Sequence, residues 1–352
     1  MKPRLTPLKF AVAAASLTVV LAACTGSSNA DGPMGTAVTP SGSIAPAAQS
    51  NGVTKITMAY IPIYTAGILQ LAQDLGYFDD AQLDVVLKPV DTPAQGTATL
   101  LAGGADVTYS TSIQLIRGVS GGLNIRVLAP ADGFDPQVAK AAANDPSLQR
   151  KLDDTAVLAA PHSGITSLLQ LPGKLVAVPA TGGQLEVTIK SAVHRAGGDA
   201  SKINWVILTM PETVAALASG KVDAGGLVDP YVAQAQKVGA QIFDYPGYQF
   251  FGDEPVTGLW LTTQSFVDAH PAAARALQAA LVKANAYAMA HQDEFYTAAA
   301  AITHSTVDEL RALAVPYFPT TVSDADFTTV ARRMLTEGEI DSPADVANVI
   351  VK

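Results

Sequence analysis

Cysteine is almost missing from this sequence: 352 residues contain one, Cys24. A disulfide framework and any multi-cysteine metal or iron–sulfur site are thereby excluded. Positive charge is also scarce, with 22 Lys plus Arg against 31 Asp plus Glu and a formal charge of -9. No basic face is available to neutralise a phosphate backbone, so nucleic acid is not expected as a partner. Aromatic residues make up 6% and charged residues 15%, yet hydrophobic residues reach 49%. That composition suits one large globular unit or two ordinary domains and excludes disorder along the whole length. Catalytic signatures are absent as well. The five histidines (His162, His194, His270, His291 and His304) are scattered, with no H-E-x-x-H pair and no G-x-S-x-G elbow. The phosphate-cradling G-x-x-x-x-G-K-[ST] is missing, so this chain is not expected to hydrolyse ATP itself. No catalytic residue, metal site or cofactor is assigned.

What is present begins with an address. Lys2, Arg4 and Lys9 precede an apolar run over 10–23, the layout of an export signal. Its 14 residues fall short of the roughly 20 that a spanning helix needs. The run ends in Leu21-Ala22-Ala23-Cys24, which resembles the lipobox of bacterial lipoproteins, where diacylglycerol is attached to the cysteine sulfur and cleavage falls before that residue. The alternative is an ordinary signal peptide with an accidental cysteine; the only cysteine of the chain standing at the one position the motif requires favours the lipobox. Residues 1–23 are then the signal peptide and Cys24 the lipid attachment, two acyl chains giving stable anchoring where one would be marginal. Residues 24–52 are rich in Gly, Ser, Thr, Pro and Ala and cannot bury enough surface to offset their chain entropy. They read as a flexible tether with a reach of about 30 Å, holding a body just off the extracytoplasmic side of a cell membrane.

From residue 53 strands and helices alternate. Strands are expected over 55–60, 83–87, 106–109 and 124–129, with helices after Pro62, over 93–102 and over 112–120. Residues 136–152 look helical but are broken by Pro146. A second alternation follows, with strands over 156–160, 174–178, 203–208, 222–228 and 241–243 and helices over 184–196, 211–219 and 230–238. This order implies α/β architecture, a mainly parallel sheet with helices on both faces. Beyond Tyr245 an apolar stretch at 256–261 leads into almost continuous helix.

Four passages carry a family resemblance: Ile56-Thr57-Met58-Ala59-Tyr60-Ile61-Pro62 leading to Leu75-Gly76-Tyr77-Phe78; Leu101-Ala102-Gly103-Gly104-Ala105-Asp106-Val107; Leu171-Pro172-Gly173-Lys174-Leu175-Val176-Ala177-Val178; and Ala215-Ala216-Leu217-Ala218-Ser219-Gly220-Lys221-Val222-Asp223-Ala224. In this order and spacing the body resembles the solute-binding subunit of ATP-driven bacterial importers, in the branch with nitrate-, sulfonate-, taurine- and thiamine-precursor-binding members. The resemblance implies a type II periplasmic binding protein: two Rossmann-like α/β domains joined by a two-stranded hinge, with a C-terminal helical extension. Domain one would be 53–155 plus 245–352 and domain two 156–244. Partners implied are a small-molecule solute and an ABC permease with its ATPase subunit, the binding protein itself being a monomer. The stretch 132–170 is longer than the family's usual crossover, which leaves the hinge boundaries open.

In such a fold the ligand lies between the domains, outside the carboxyl ends of the strands. Six loops qualify: 60–67, 108–114, 130–136, 179–186, 227–232 and 245–253. Tyr60 and Tyr64 either stack a planar solute or pack locally. Ser110, Thr111 and Ser112 put three hydroxyls at a helix start, where free N–H groups favour an acceptor; one of them is equally suited to be the N-cap. Thr181, Gly182 and Gly183, ahead of Glu186, form a second oxyanion-type nest. Asp229 and Tyr231 flank Pro230 where family members carry a ligand-contacting turn, though an N-cap role explains Asp229 as well. None of the six loops contains Lys or Arg, while Asp132, Asp135, Glu186, Asp229 and Asp253 are present. A strongly anionic solute is therefore not expected, and neutral or cationic heterocycles fit at least as well; Arg117 and Arg126 are near enough in sequence to swing in. Two other classes stand beside the transport reading: a sensory or scaffold lipoprotein that binds solute or a partner without transport, and a cleft enzyme.

Overall fold

Ile56, Met58, Val107, Tyr109, Val127 and Ala129 alternate with residues that are themselves mostly buried, the pattern of strands covered on both faces. They belong to a six-stranded sheet in the computed structural model, which describes residues 49–50, 52–142, 144–252, 254 and 256–352. The expected signal peptide, Cys24, the tether up to residue 48 and Asp253 lie outside the described residues. No described helix is long and apolar enough to cross a membrane.

The first sheet contains β1 (Gln49–Ser50), β2 (Val53–Tyr60), β3 (Leu83–Pro89), β4 (Val107–Thr111), β5 (Ile125–Gly133) and β11 (Val256–Thr263). Its order is β1-β2-β4-β11-β5, with β3 also on β2. The second holds β6 (Thr155–Ala159), β7 (Leu175–Val178), β8 (Asn204–Ile207), β9 (Ala224–Val228) and β10 (Gln241–Asp244), in the order β10-β6-β9-β7-β8. Every strand expected from the sequence is present, but the sheets are mixed rather than mainly parallel. β2 runs parallel to β3 and β4, and β7 to β8 and β9. β11 runs antiparallel to β4 and β5, β6 to β9, and β10 to β6. The reversed strands β6 and β11 are those on which the chain enters one sheet from the other, which explains why helix-linked βαβ reasoning misses their direction. The tether's last residues also take part, Gln49 and Ser50 pairing with Thr54 and Val53.

Both faces of the first sheet are filled. Leu128, Ala129 and Trp260 pack with the helices Gly67–Asp74, Pro271–Ala290 and Gln292–Thr303, while Ile125, Val127, Leu259 and Leu261 pack with Phe250, Phe251, Phe327 and Met334. The second sheet has its own core of Val157, Leu158, Val176, Ile189, Leu217 and Leu227. The expected loop 245–253 contains a helix instead, Pro246–Phe251, whose Pro246 occupies the first turn and whose two phenylalanines are buried. The broken helix at Pro146 is as expected: Pro136–Ala142 is followed by a 3-10 turn at Pro146–Leu148 and a short helix at Gln149–Leu152.

One close approach fixes how the C-terminal helices seat. At Gly67 an added Cβ would lie 2.6 Å from both Cα and Cβ of Ala299, a distance at which backbone must move. Gly67→Ala is expected to destabilise the fold by about 1–3 kcal/mol, the usual cost of overpacking. The check is a urea titration, in which the midpoint should fall; a midpoint equal to that of the unchanged protein would show that the two helices separate freely.

Candidate functional site

Strand ends from both sheets meet in one cleft. The first sheet's side contributes Ile61, Ile63, Tyr109, Thr111 and Gln114, the second sheet's side Thr155, Pro179, Ala180, Gly183, Gln184, Leu185, Met210 and Val228. These residues follow or end β2, β4, β7, β8 and β9 or begin β6, as expected for a ligand site outside carboxyl strand ends. The cavity is narrow, about 60 Å³, so the two sides nearly touch. Its wall is largely apolar, and no Lys, Arg or His side chain lines it.

Beneath the cleft lies a group of buried acids. Asp132, at the end of β5, accepts hydrogen bonds from the Tyr109 hydroxyl (2.9 Å) and the Thr257 hydroxyl (3.3 Å). Burial raises its pKa despite these donors and the Gly258 N–H. Gly258 has no room for a side chain, since a Cβ would sit 2.2 Å from Asp132 Oδ1. Burial likewise pushes the Tyr109 hydroxyl well up, and its ring meets Trp260 edge-on with centroids 5.7 Å apart.

Asp153 and Asp154 immediately precede β6. Asp153 is fully buried: Oδ1 accepts from the Thr155 N–H (2.9 Å) and hydroxyl (2.6 Å), and Oδ2 from the Tyr248 N–H (2.6 Å). Desolvation nevertheless pushes its pKa up to about 6. Asp154 carries its pKa well above the carboxylate range, first from burial and then from the charges of Asp132, Asp153 and Asp229. Its carbonyl accepts from the Asp229 N–H at 2.9 Å, extending the pairing of β6 with β9 by one residue. Asp229 is fully buried, with Oδ2 bound to Arg150 Nη1 at 2.9 Å. Burial raises the Asp229 pKa, and Arg150 opposes this.

The residues singled out from the sequence divide clearly. Thr111 and Gly183 line the cleft. Thr111 is also the N-cap of the helix Ser112–Ser120, bonded to Gln114. Ser110 and Ser112 are fully buried and do not line the cavity; their hydroxyls have no hydrogen-bond partner among the described residues. Tyr64 is enclosed in the first core, its hydroxyl donating to the Ala314 carbonyl at 3.2 Å, and Tyr60 packs partly buried at the same core's edge. Tyr231 is partly buried and touches both cores. Thr181 is exposed.

The expected oxyanion nest is already filled by the chain itself. Glu186 Oε2 accepts from the Gly182 N–H at 2.7 Å while Oε1 pairs with Lys190 at 2.5 Å. Arg117 does swing across, yet its Nε donates to the Gly182 carbonyl (3.1 Å) and Nη2 binds Glu339 (3.1 Å). Arg126 turns to Gln264 Oε1 and its neighbour's carbonyl. Sequence reasoning missed Gln114, Gln184, Met210 and the Asp153-Asp154-Thr155 run. Two adjacent acids opening an otherwise apolar strand were the available signal for that run.

Two mixed sheets joined by two chain passages, with a cleft at their facing strand ends, define the periplasmic binding protein fold of the α/β class. Among solved structures, the alkanesulfonate-binding protein SsuA of Xanthomonas axonopodis pv. citri bound to MOPS matches with a TM-score of 0.67 and 15% identity, covering 86% of this chain and 99% of that one. The nitrate-binding protein NrtA of Synechocystis PCC 6803 gives 0.66 and 13%, covering 84% of each. The desulfurization enzyme DSZB shares the fold at 0.57 and 15%, covering 84% of this chain and 96% of that one. No curated protein matches the sequence. Residues 49–304 match the NMT1-like family, and the chain belongs to it.

Asp153 makes stability depend on pH in a definite direction. Its folded-state pKa of about 6 lies above the ordinary 3.8, so the native chain holds this proton where the unfolded chain has released it. The stabilisation is complete below about pH 4 and is lost as pH rises through about 6, a change of about 3 kcal/mol. Relative to Asp153→Asn, the unchanged protein should thus lose stability between pH 4 and 7. Denaturant unfolding of both chains at the two pH values checks this, and a constant difference would contradict it.

Proposed function

We propose that this protein is an extracytoplasmic solute-binding lipoprotein, held by lipid at Cys24 on the outer side of the cell membrane, that captures a small organic solute and delivers it to an ABC permease. The observation that carries the reading is the cleft: an apolar cavity with Tyr109, Thr111, Gln114 and Gln184 in its wall, set where the strand ends of two sheets face each other. The lobes 53–155 plus 245–352 and 156–244 would close over the solute as a monomer. Because a solute touches both walls only when they meet, its differential affinity shifts the balance toward the closed form. The narrowness of the cavity suits this, since entry then requires the walls to part. Thr111 and Gly183 are the sequence-expected residues best placed for contact, with Asp229 beneath. Membership in the NMT1-like family and likeness to sulfonate- and nitrate-binding proteins support solute capture rather than catalysis.

The solute differs from those two relatives' ligands in this reading. A cleft wall without a cationic side chain, and a helix N-terminus occupied by Glu186, favour a neutral or heterocyclic compound over a strong anion.

Thermal unfolding of the full-length protein in detergent, across sulfonates, nitrate, taurine, pyrimidines, flavins and aromatic acids, tests the reading. A true solute at a hundred times its Kd should add about 2.7 kcal/mol, a rise of several degrees. No stabilisation by any compound class would remove the solute-binding reading. The anchor is tested separately: Cys24→Ser should move the protein from the membrane fraction to the soluble extracytoplasmic fraction, and retention in the membrane would disprove lipid attachment at Cys24.

A further inference from the structure

Five residues just outside the cavity wall form a closed ring of polar contacts between the two sides of the cleft. Arg117, on the helix Ser112–Ser120 that follows β4, donates from Nε to the Gly182 carbonyl at 3.1 Å. The Gly182 N–H donates to Glu186 Oε2 at 2.7 Å, and Glu186 Oε1 pairs with Lys190 at 2.5 Å. Lys190 also meets Glu339 Oε1 at 3.6 Å, and Glu339 Oε2 returns to Arg117 Nη2 at 3.1 Å. Arg117 and Glu339 belong with the first sheet: Ile113 and Ile116 share a core with Phe327 and Met334 of the helix Asp324–Thr336, which Glu339 follows. Gly182, Glu186 and Lys190 come after β7 of the second sheet. The ring therefore crosses between the sides twice, at Arg117–Gly182 and at Glu339–Lys190.

The backbone is shaped for the first crossing. Gly182 has a φ of +63°, and a Cβ added there would lie 2.8 Å from Cζ and 2.9 Å from Nε of Arg117. A residue without a side chain thus gives the guanidinium access to the main chain, in a conformation that glycine adopts at no cost. Gly182 sits within the loop whose Pro179, Ala180 and Gly183 line the cavity, and Gln114, one turn before Arg117, lines it from the other side. Each crossing thereby draws one wall toward the other. Two cations and two anions make up the ring, with side chains between 4% and 38% exposed, so its attraction is partly shielded from water but still within reach of salt.

We propose that this ring is an ionic latch on the cleft: the walls part only when Arg117 leaves Gly182 and Lys190 leaves Glu339, and both contacts re-form as the cleft shuts. The inference rests on the solute-binding reading given above, in which the walls part to admit a solute. None of the five residues lines the cavity. The latch therefore favours the shut form by the same amount whatever the solute's chemistry, and ionic strength sets how often the cleft opens. Two other contacts cross between the sides and differ from it in kind. Val187 is buried in the core of Phe250, Phe327 and Met334, an apolar contact that salt does not weaken. Lys237 pairs with Glu309, but with side chains 62% and 44% exposed this is a surface pair of little effect.

The distance between two spin labels, measured with no solute added, tests the latch. Ala94, beside the cavity-lining Pro93, and Ala215, on the helix that begins with the cavity-lining Met210, are exposed on opposite sides of the cleft. Labels are placed through Ala94→Cys and Ala215→Cys in the full-length chain carrying Cys24→Ser, which leaves no other thiol. Arg117→Ala and Glu339→Gln should each enlarge the longer-distance population about threefold or more. Raising sodium chloride from about 0.05 M to about 1 M should do the same with the ring intact and little in Arg117→Ala. Lys237→Ala should change nothing. Distances that fail to respond to salt or to either ring variant overturn the inference, and so does lengthening by Lys237→Ala equal to that by Arg117→Ala; if Arg117→Ala does not fold, Glu339→Gln and the salt series decide. A compound that stabilises the protein while the distances stay fixed removes the latch and leaves solute binding standing. Distances that respond while every compound class is silent do the reverse.

Discussion

The Asp153 carboxylate sits where the chain leaves one sheet for the other and where it comes back. Oδ1 holds the first turn of β6 through Thr155, and Oδ2 holds the N–H of Tyr248 in the returning helix. Two separate passages of chain are thus tied to one buried group, and three donors would be left unsatisfied without it. Such a group is costly to bury in its charged form, and its raised pKa records that cost. The neighbouring acids share the constraint: Asp154 follows in sequence, Asp229 hydrogen-bonds to the Asp154 carbonyl, and Arg150 comes from the short helix just before. The floor of the cleft and the join between the sheets are therefore one electrostatic unit.

Around that unit the cleft's polarity is decided by which charges are already spent. Glu186 accepts the Gly182 N–H just ahead of its own helix, Lys190 pairs with Glu186, and Arg117 is drawn to a carbonyl and to Glu339. Positive charge is present close by, but Lys190 and Arg117 each have an anionic partner outside the cavity. The acids beneath are buried instead, and burial raises the pKa of each.

Most of the fold was legible in the sequence because its strands announce themselves locally. Val107, Tyr109, Val127 and Ala129 lie in short apolar runs bounded by glycine and proline, and such runs form buried strands almost wherever they occur. Strand direction was less legible, because β6 and β11 take theirs from long-range pairing that no local pattern encodes. The site was read least well, for a related reason. In a strand buried on both faces, alternate residues go to different cores, so Ser110 points away from the cleft that Tyr109 and Thr111 line, while Ser112 opens the next helix and is buried there. Tyr64 looked like a stacking ring, but its contacts with Phe295 and Ala314, more than 200 residues away in sequence, hold it in the core. The lack of Lys and Arg in the loops is also the lack of them in the cavity wall.

Glu186 has a consequence for how such a chain could diversify. It is a single side chain standing in for a bound anion at Gly182, and Lys190 is present to compensate it. A lineage that exchanged Glu186 for a neutral residue would release the Gly182 N–H next to the cavity-lining Gly183, and leave Lys190 to Glu339 alone. Selectivity for solute charge would then turn on one codon, with the scaffold of sheets and helices left as it is.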